Sequence, residues 1–506
     1  MTGAGGPAGP GEADWLAARA TLLYEMARDE LFAPHWKLVA QHAFDRVRDA
    51  ILAEAPLTPP CPYLRVRHEH GGTPPFGERA DAAAGPVERT LLLLFAAAAM
   101  RHMEPVLDRG RVFSALPARS GEGLLLASSD WWSDCYRRAT QEAVDDPRWS
   151  HMVQVDVAHA NEGIDRRALL AGLAAAGLPP AWSRIGRRLD RALAPTVGAA
   201  GFLYDLMASG ALATLALRPL DTPAAGPERP SFRLIDSILL PAGDAADAER
   251  VADEIRTRLR RMGLSANPRK SRVTTRTAFA EERHRTRRYR AEADGVDAAR
   301  RVIADLAAFG SHAARAEEWA LVTLARAGDP VALDHAIAGF AAEPWAARIR
   351  ALYLREFVAD PAVLGRFAGE LAAAAERLHS WQWMWALAVL WAAPALPPPL
   401  ARMVATIARS GRFPDPVRAA AAIVWARFAT AAGWQALEQA AGDARSAHLR
   451  AAIAFGFRYR SAAARRTTLA DWARRDPEVA LVAGAIDREA DGTTRPDQPP
   501  GASDGA

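Results

Sequence analysis

Asp156 lies inside a β-type run, "HMVQVDVAHA" (151–160), and Asp236 lies in "SFRLIDSILL" (231–240), which reads as a short hairpin whose two apolar runs flank a three-residue turn, Ile235-Asp236-Ser237. An acid between two hydrophobic runs is costly to bury, so Asp236 needs a partner or a task. Phosphoryl transfer by two metals would supply one, because it needs carboxylates from neighbouring strands converging on a pair of Mg2+ ions. Magnesium is hard, takes oxygen ligands and is commonly held by one or two carboxylates plus substrate phosphates. A strand aspartate beside a hairpin aspartate meets that requirement. On spacing alone, satisfied structural aspartates are the commoner case.

Other chemistries find less support. His68, His70, His151 and His159 lack metal-ligand spacing with cysteines or acids, and by strand alternation His151 and His159 point away from the Asp156 face. The two cysteines, Cys61 and Cys135, cannot build a disulfide framework or a zinc knuckle. Neither a nucleophile elbow nor a phosphate-binding glycine loop is present. Arg276, Arg283, Arg285, Arg287, Arg288 and Arg290 cluster around Tyr289, opposed there by Glu281 and Glu282. Arginine beside an aromatic suits phosphate contact and base stacking, and a charged, solvated linker is an equal alternative. In "WQWMWALAVLW" (381–391) Trp381 and Trp385 share a helix face and Trp383 does not, which reads as core packing.

The elements that would position these residues follow from pattern. The chain has 506 residues, half of them apolar, so two or three globular domains are expected. The net charge is only +4, so basicity matters only where it is concentrated. Lys37 and Lys270 are the only lysines. "LLLLFAAAAM" (91–100) is too short to span a bilayer, and the N-terminus lacks the order of a signal peptide, so a reduced, cytoplasmic protein without a membrane partner is expected. Residues 1–13 and 488–506 read as disordered. Residues 14–88 read as a helical extension broken near Pro34, then a Pro/Gly-rich loop over 55–88. A helix is expected from about Asp130, its N-cap. Residues 89–275 then alternate strand, helix, helix, hairpin, helix, strand, an α+β layer with helices on one face of an antiparallel sheet. Residues 276–294 read as a basic linker. From 295 to 487 Ala-rich helices recur, with Arg350, Arg418 and Arg450 heading similar segments, as in an all-α, HEAT-like helical repeat. An irregular bundle is the alternative.

Residues 89–275 resemble bacterial reverse transcriptases (RNA-directed DNA polymerases), most closely the abortive-infection and unknown-group antiphage class, which joins such a domain to C-terminal helical repeats. "RVFSALPA" is similar to the class's finger motif. "VQVDVAHANEGIDRRALLAGL" resembles its first catalytic block, with Asp156 as first metal ligand and Ile164-Asp165 on the block's Ile-Asp. "GFLYDLMASGALATLALRPLD" matches the template-gripping block at Gly201, Ser209, Leu212, Ala213, Leu217, Pro219, Leu220 and Asp221. "FRLIDSILL" falls on the catalytic hairpin, and "GLSANPRKSRV" puts Lys270 on the family's lysine. The resemblance therefore implies polymerase fingers and palm with a thumb beginning in the basic stretch 276–294, Mg2+ or Mn2+ at Asp156 and Asp236, and nucleotide or template contacts at Asn161, Gly201, Asp205 and Ser209.

The departures fall on functional positions. Ser237 stands where the family has a second hairpin aspartate, Leu234 where it has an aromatic, Leu203 where it has proline, and Asp205 where it has glycine. Ala160-Asn161 replaces the aromatic pair that screens the sugar 2′-hydroxyl. These changes imply a degenerate active site: a pseudoenzyme that binds nucleic acid, DNA or RNA, or has a structural role beside an active polymerase partner or as a homo-oligomer, in antiviral defence. Two alternatives stand beside it. One is an active nucleotidyltransferase using two aspartates with relaxed sugar choice, and the other is a protein-interaction scaffold working through the repeats.

Overall fold

The computed structural model describes residues 10–28, 31–68, 76–118, 123–197, 201–203, 206–221, 229–291 and 295–491. Mixed α and β and mostly helical, these residues include one five-stranded sheet and a separate two-stranded hairpin.

Three helices open the chain: α1 (Glu12–Arg28), α2 (Pro34–His42) and α3 (Phe44–Leu52). Pro34 starts α2 because the first turn of a helix needs no N–H there. Helix α1 begins inside the stretch expected to be disordered. The expected loop over 55–88 is a second difference. Cys61–His68 (β1) and Phe76–Ala83 (β2) form an antiparallel hairpin that pairs Arg65 with Arg79 and Tyr63 with Asp81. Its alternation carries arginines and acids instead of a hydrophobic face, so the Pro/Gly content around it hid the strands. Pro86–Met103 (α4) follows and buries nearly every side chain.

The sheet is assembled from β3 (Val112–Phe113), β4 (His151–Asp156), β5 (Phe232–Leu234), β6 (Ser237–Ala242) and β7 (Arg272–Thr275), in the order β3-β5-β6-β4-β7. Only β3–β5 is parallel. Between the strands run α5 (Ser129–Asp145), α6 (Ala160–Gly163), α7 (Arg166–Ala175), α8 (Pro180–Val197), α9 (Met207–Ala216) and α10 (Ala245–Arg261), with α11 (Arg276–Ala291) after β7. The α5 N-cap is Ser128, whose hydroxyl accepts from the Trp131 N–H, so Asp130 falls within the first turn. Residues 276–291 of the stretch expected to be a basic linker form the helix α11.

Alternation assigns the sheet two different faces. Val153, Val155, Ile238 and Leu240 join the main core with Val251 and Ile255 of α10. Met152, Leu239, Phe232 and Phe113 form a second cluster with Ala143 and Val144 of α5 and Phe279 of α11. Helices therefore cover both faces: α10 the first, and α5 and α11 the second, where Met152, Leu239 and Phe232 are apolar while Gln154, Ser237 and Asp156 are not. Across this second face Leu234, Ser237 and Asp156 form one row, fixed by the pairings Leu234↔Ser237 and Asp156↔Ser237.

The rest is helical: α12 (Val296–Ala304), α13 (Ala313–Arg326), α14 (Leu333–Ala342), α15 (Ala347–Leu354), α16 (Pro361–Ala374), α17 (Ser380–Ala392) and α18 (Pro398–Arg409). After these come α19 (Asp415–Phe428), α20 (Ala431–Asp443), α21 (Ala447–Gly456), α22 (Ala462–Ala464), α23 (Ala470–Arg475) and α24 (Pro477–Ala490). Helices α13, α15, α17, α19, α21 and α24 pack side by side in that order. The three arginines do one job in three places. Arg350 donates to the Gly339 carbonyl, Arg418 to Ala408 at 3.3 Å and Arg450 to Ala444 at 2.8 Å. Each satisfies carbonyls at the end of the preceding helix, where no intrahelical donor remains. Trp381, Trp383 and Trp385 are all buried. The N-terminal segment is packed onto this half: Tyr63 stacks on Trp381 at 6.4 Å, and Trp36 Nε1 donates to His448 Nδ1 at 3.1 Å.

Candidate active site

Strand β4 ends on Asp156, and β6 begins on Ser237 directly opposite. The hairpin turn is two residues, Ile235-Asp236, not three, and Ser237 belongs to the strand. Ile235 has φ +55°, rare for a β-branched side chain, so this turn holds strained backbone. Arg233 keeps it there. Its guanidinium is 1% exposed, donates to the Ile235 carbonyl at 2.8 Å and the Thr214 carbonyl at 3.0 Å, and grips both Asp221 oxygens at 2.5 and 2.7 Å. The Asp236 carbonyl accepts from the Val157 N–H at 2.9 Å, tying the turn to the end of β4.

A loop on the other side of β4 delivers the lysine. Asn267 N–H donates to the Asp156 carbonyl at 2.7 Å, the Ala158 N–H to Ser265 at 2.8 Å, and the Asp156 N–H to Ser271 Oγ at 3.1 Å. Lys270 Nζ then lies 3.2 Å from Asp156 Oδ2, with its own side chain 59% exposed.

The electrostatics follow from burial. Loss of water pushes the Asp156 carboxyl above its ordinary value, and the Lys270 ammonium pulls against that. Asp236 is raised to about 6, first by burial and then by the charge of Asp156, against the pull of Lys270 and Arg79. The two acids therefore act on each other. Arg79 acts on both, and the sequence reading missed it. Its signal was the period-two pattern of "YLRVRH" and "FGERADAA", two short strands in a segment read as loop.

The remaining candidates divide. Asn161 and Gly201 come together, with the Phe202 N–H donating to the Asn161 carbonyl at 2.6 Å and the Gly201 N–H to Ile164 at 2.8 Å. Gly201 has φ +92°, and a Cβ on it would lie 2.8 Å from the Asn161 oxygen, so glycine is required there by packing. Ser209 is fully buried in α9, and its Oγ has no hydrogen-bond partner among the described residues. Asp205 lies outside the described residues. Arg283 is spent inside the fold, donating to Thr140 Oγ1 at 2.8 Å and the Arg137 carbonyl at 3.1 Å. The side chains of Arg285, Arg287, Arg288 and Arg290 on α11 lie outside the described residues.

Two carboxylates, a serine and two cations make up the site. Among the described residues no group of three or more His, Cys, Asp or Glu converges to hold a metal. Asp156 and Asp236 suit one hard divalent cation that also takes phosphate oxygens, while neutral Ser237 leaves a second ion poorly held. No described helix is long and apolar enough to cross a membrane. No family model matches the chain, and comparison with curated proteins finds no match.

Proposed function

We propose that the sheet half is a reverse-transcriptase-like fingers and palm with a weakened catalytic centre, and that the helical half is a HEAT-like repeat. In this reading the protein binds nucleic acid and adds nucleotides slowly or not at all. The observation that carries it is that Asp156 and Asp236 act on each other within the electrostatic reach of Lys270 and Arg79, with Ser237 in the row where the family has a further carboxylate. Acids to hold a cation, flanked by cations to hold phosphates, fit a nucleotide or a nucleic-acid end better than they fit an uncharged ligand. When bound, Mg2+ or Mn2+ would supply Lewis-acid polarisation of a phosphate, held by Asp156 and Asp236. The chain's own residues do the rest: Arg233 fixes the turn, Lys270 and Arg79 neutralise phosphate charge, and Gly201 positions Asn161. Loss of one carboxylate charge beside divalent ions is worth roughly a thousandfold or more in rate. A role in antiphage defence is supported by the resemblance in motifs and by the order of the two halves.

One observation favours residual activity as a second reading. Lys270 is mostly solvated, so its contact with Asp156 can give way to a metal at little cost. The test is incorporation of labelled dNTPs or NTPs by purified protein with Mg2+ or Mn2+, with and without primed template, beside Asp156→Ala. Nucleic-acid binding with little or no incorporation is expected. Rapid incorporation that Asp156→Ala abolishes would replace the weakened-palm reading with an active one, and absence of nucleic-acid binding would remove both.

A further inference from the structure

Helix α8 carries charge that the fold does not neutralise. Arg184, Arg187 and Arg191 are exposed, and none makes a hydrogen bond or ion pair among the described residues. Their spacing of three and four residues puts them within about 60° of one another around the helix. Arg188 shares that face but turns to the Ala55 carbonyl, and Thr196 Oγ1 donates to the Pro60 carbonyl at 2.6 Å. The opposite face is packed tightly. A Cβ on Gly186 would meet Leu170 at 2.6 Å and Phe95 at 2.9 Å, and Leu189 and Leu193 are buried. The helix therefore cannot roll to hide its arginines. Asp190, its one acid, is already engaged by Arg166 at 3.0 Å and Arg167 at 3.5 Å.

An ordinary solvated face looks different in this protein. On α10, exposed Arg250 pairs with Asp247, and Arg256 and Arg258 pair with Asp253 and Glu254 one turn away. Arg260 and Arg261, without acid partners among the described residues, sit in the last turn, where the helix's terminal carbonyls favour positive charge. Like charges left unpaired along a helix cost stability, so the α8 stripe is a feature to be explained by a ligand. Its position suggests which. Helix α8 packs on β2, the strand that carries Arg79, with Leu193 in a small cluster beside Ala82, Ala84 and Leu203.

We propose that the outer face of α8 is a phosphate-backbone track that holds nucleic acid outside the Asp156–Asp236 site. Arg184 to Arg191 spans about 10 Å, the axial length over which one strand of a duplex carries about three phosphates at ~3.4 Å of rise each. The face shows no exposed large apolar side chain that could insert into a bilayer. This inference rests on the nucleic-acid reading given above and adds where, and through which residues, the strand is held.

The test is salt-dependent binding of the full chain to a fluorescent 30-nucleotide single-stranded RNA and to the matching RNA–DNA duplex. The comparison is with the triple variant Arg184→Gln/Arg187→Gln/Arg191→Gln and with the corresponding triple lysine variant. The glutamine variant should unfold at the wild-type temperature, bind at least tenfold more weakly, and lose about 2–3 units of slope in log K against log salt; the lysine variant should keep most of the slope. The single-strand and duplex arms show which form uses the track. If the wild type binds and the glutamine variant matches it in affinity and slope, α8 is not the track, although the nucleic-acid reading survives. A wild type that binds neither RNA nor duplex overturns both. In a parallel arm with phosphatidylserine vesicles, binding confined to the vesicles and lost in the glutamine variant overturns the proposal in favour of a membrane surface.

Discussion

Glu317 in the helical half and Asp156 in the sheet half are buried to nearly the same degree, 4% and 6% exposed, yet their carboxyls are driven in opposite directions. Burial works against both charges. At Glu317, hydrogen bonds from His335 and Arg350 together with the Arg350 charge more than offset it, so the group sits below its ordinary value. At Asp156 a single, mostly solvated lysine does not, and the group sits above. At Glu317 the helical half saturates a buried charge for structure. The sheet half leaves two acids under-neutralised and adds a strained turn beside them, which is the pattern expected where a ligand completes the electrostatics.

This difference can be broken from either side. The largest effect is expected at Arg350, which is wholly buried and serves Glu317, Glu343 and the Gly339 carbonyl. Arg350→Met leaves uncompensated charge in the core and should cost about 3–5 kcal/mol in urea unfolding.

Next comes a buried acid pair that joins the two halves, Glu88 in the first turn of α4 and Glu478 in the first turn of α24. Both lie around the Cβ position of Gly85, and each has an oxygen without a hydrogen-bond partner among the described residues. Burial, before any other cause, raises them to about 7 and about 8, from an ordinary value of 4.5. Folded pKa values above the unfolded ones mean that the folded state holds the extra protons. Stability should therefore fall as pH rises from about 5 to about 8 and level off beyond. Glu478→Gln should flatten that fall and raise the melting temperature by several degrees at pH 9, measured by scanning calorimetry.

Asp236→Asn should act with the opposite sign to Arg350→Met. With its carboxyl raised from 3.8 to about 6, Asp236 destabilises the fold progressively between about pH 4 and pH 6 and fully above that. The amide should stabilise the protein by about 1 kcal/mol at pH 7.5, a figure discounted for partial exposure, while removing metal affinity. Destabilisation by Asp236→Asn would place Asp236 among the structural acids. The smallest change is expected from Lys270→Met, which should move the Asp156 carboxyl further upward in a carbon NMR titration and leave stability nearly unchanged.

Much of this arrangement was legible in the chain. The run "HMVQVDVAHA" and the apolar flanks of Asp236 specify neighbouring strands because period two survives in them, and scarcity drew attention to Lys270. Arg350, Arg418 and Arg450 stood out through equivalent places before small-residue helices, and they make equivalent carbonyl bonds. What was hidden depends on distance in the fold. Arg79 sits on a strand whose alternating residues are charged, so no hydrophobic stripe marked it, and its role arises from residues about 77 and 157 positions away. The commitment of Arg283 to α5 and the packing need for Gly201 are tertiary facts without a local signal. The second covered face of the sheet was missed because its apolar members, Phe113, Met152, Phe232 and Leu239, come one from each of four strands and leave no stripe in any single one.

The most direct measurement is Mn2+ binding followed by electron paramagnetic resonance in the wild type, Asp236→Asn and Ser237→Asp. If Asp156 and Asp236 form a metal site weakened at Ser237, the wild type binds Mn2+ weakly, Asp236→Asn loses it, and Ser237→Asp tightens it about tenfold or more. Equal binding by all three proteins would contradict a metal role for these carboxylates and, with it, the palm reading of the site.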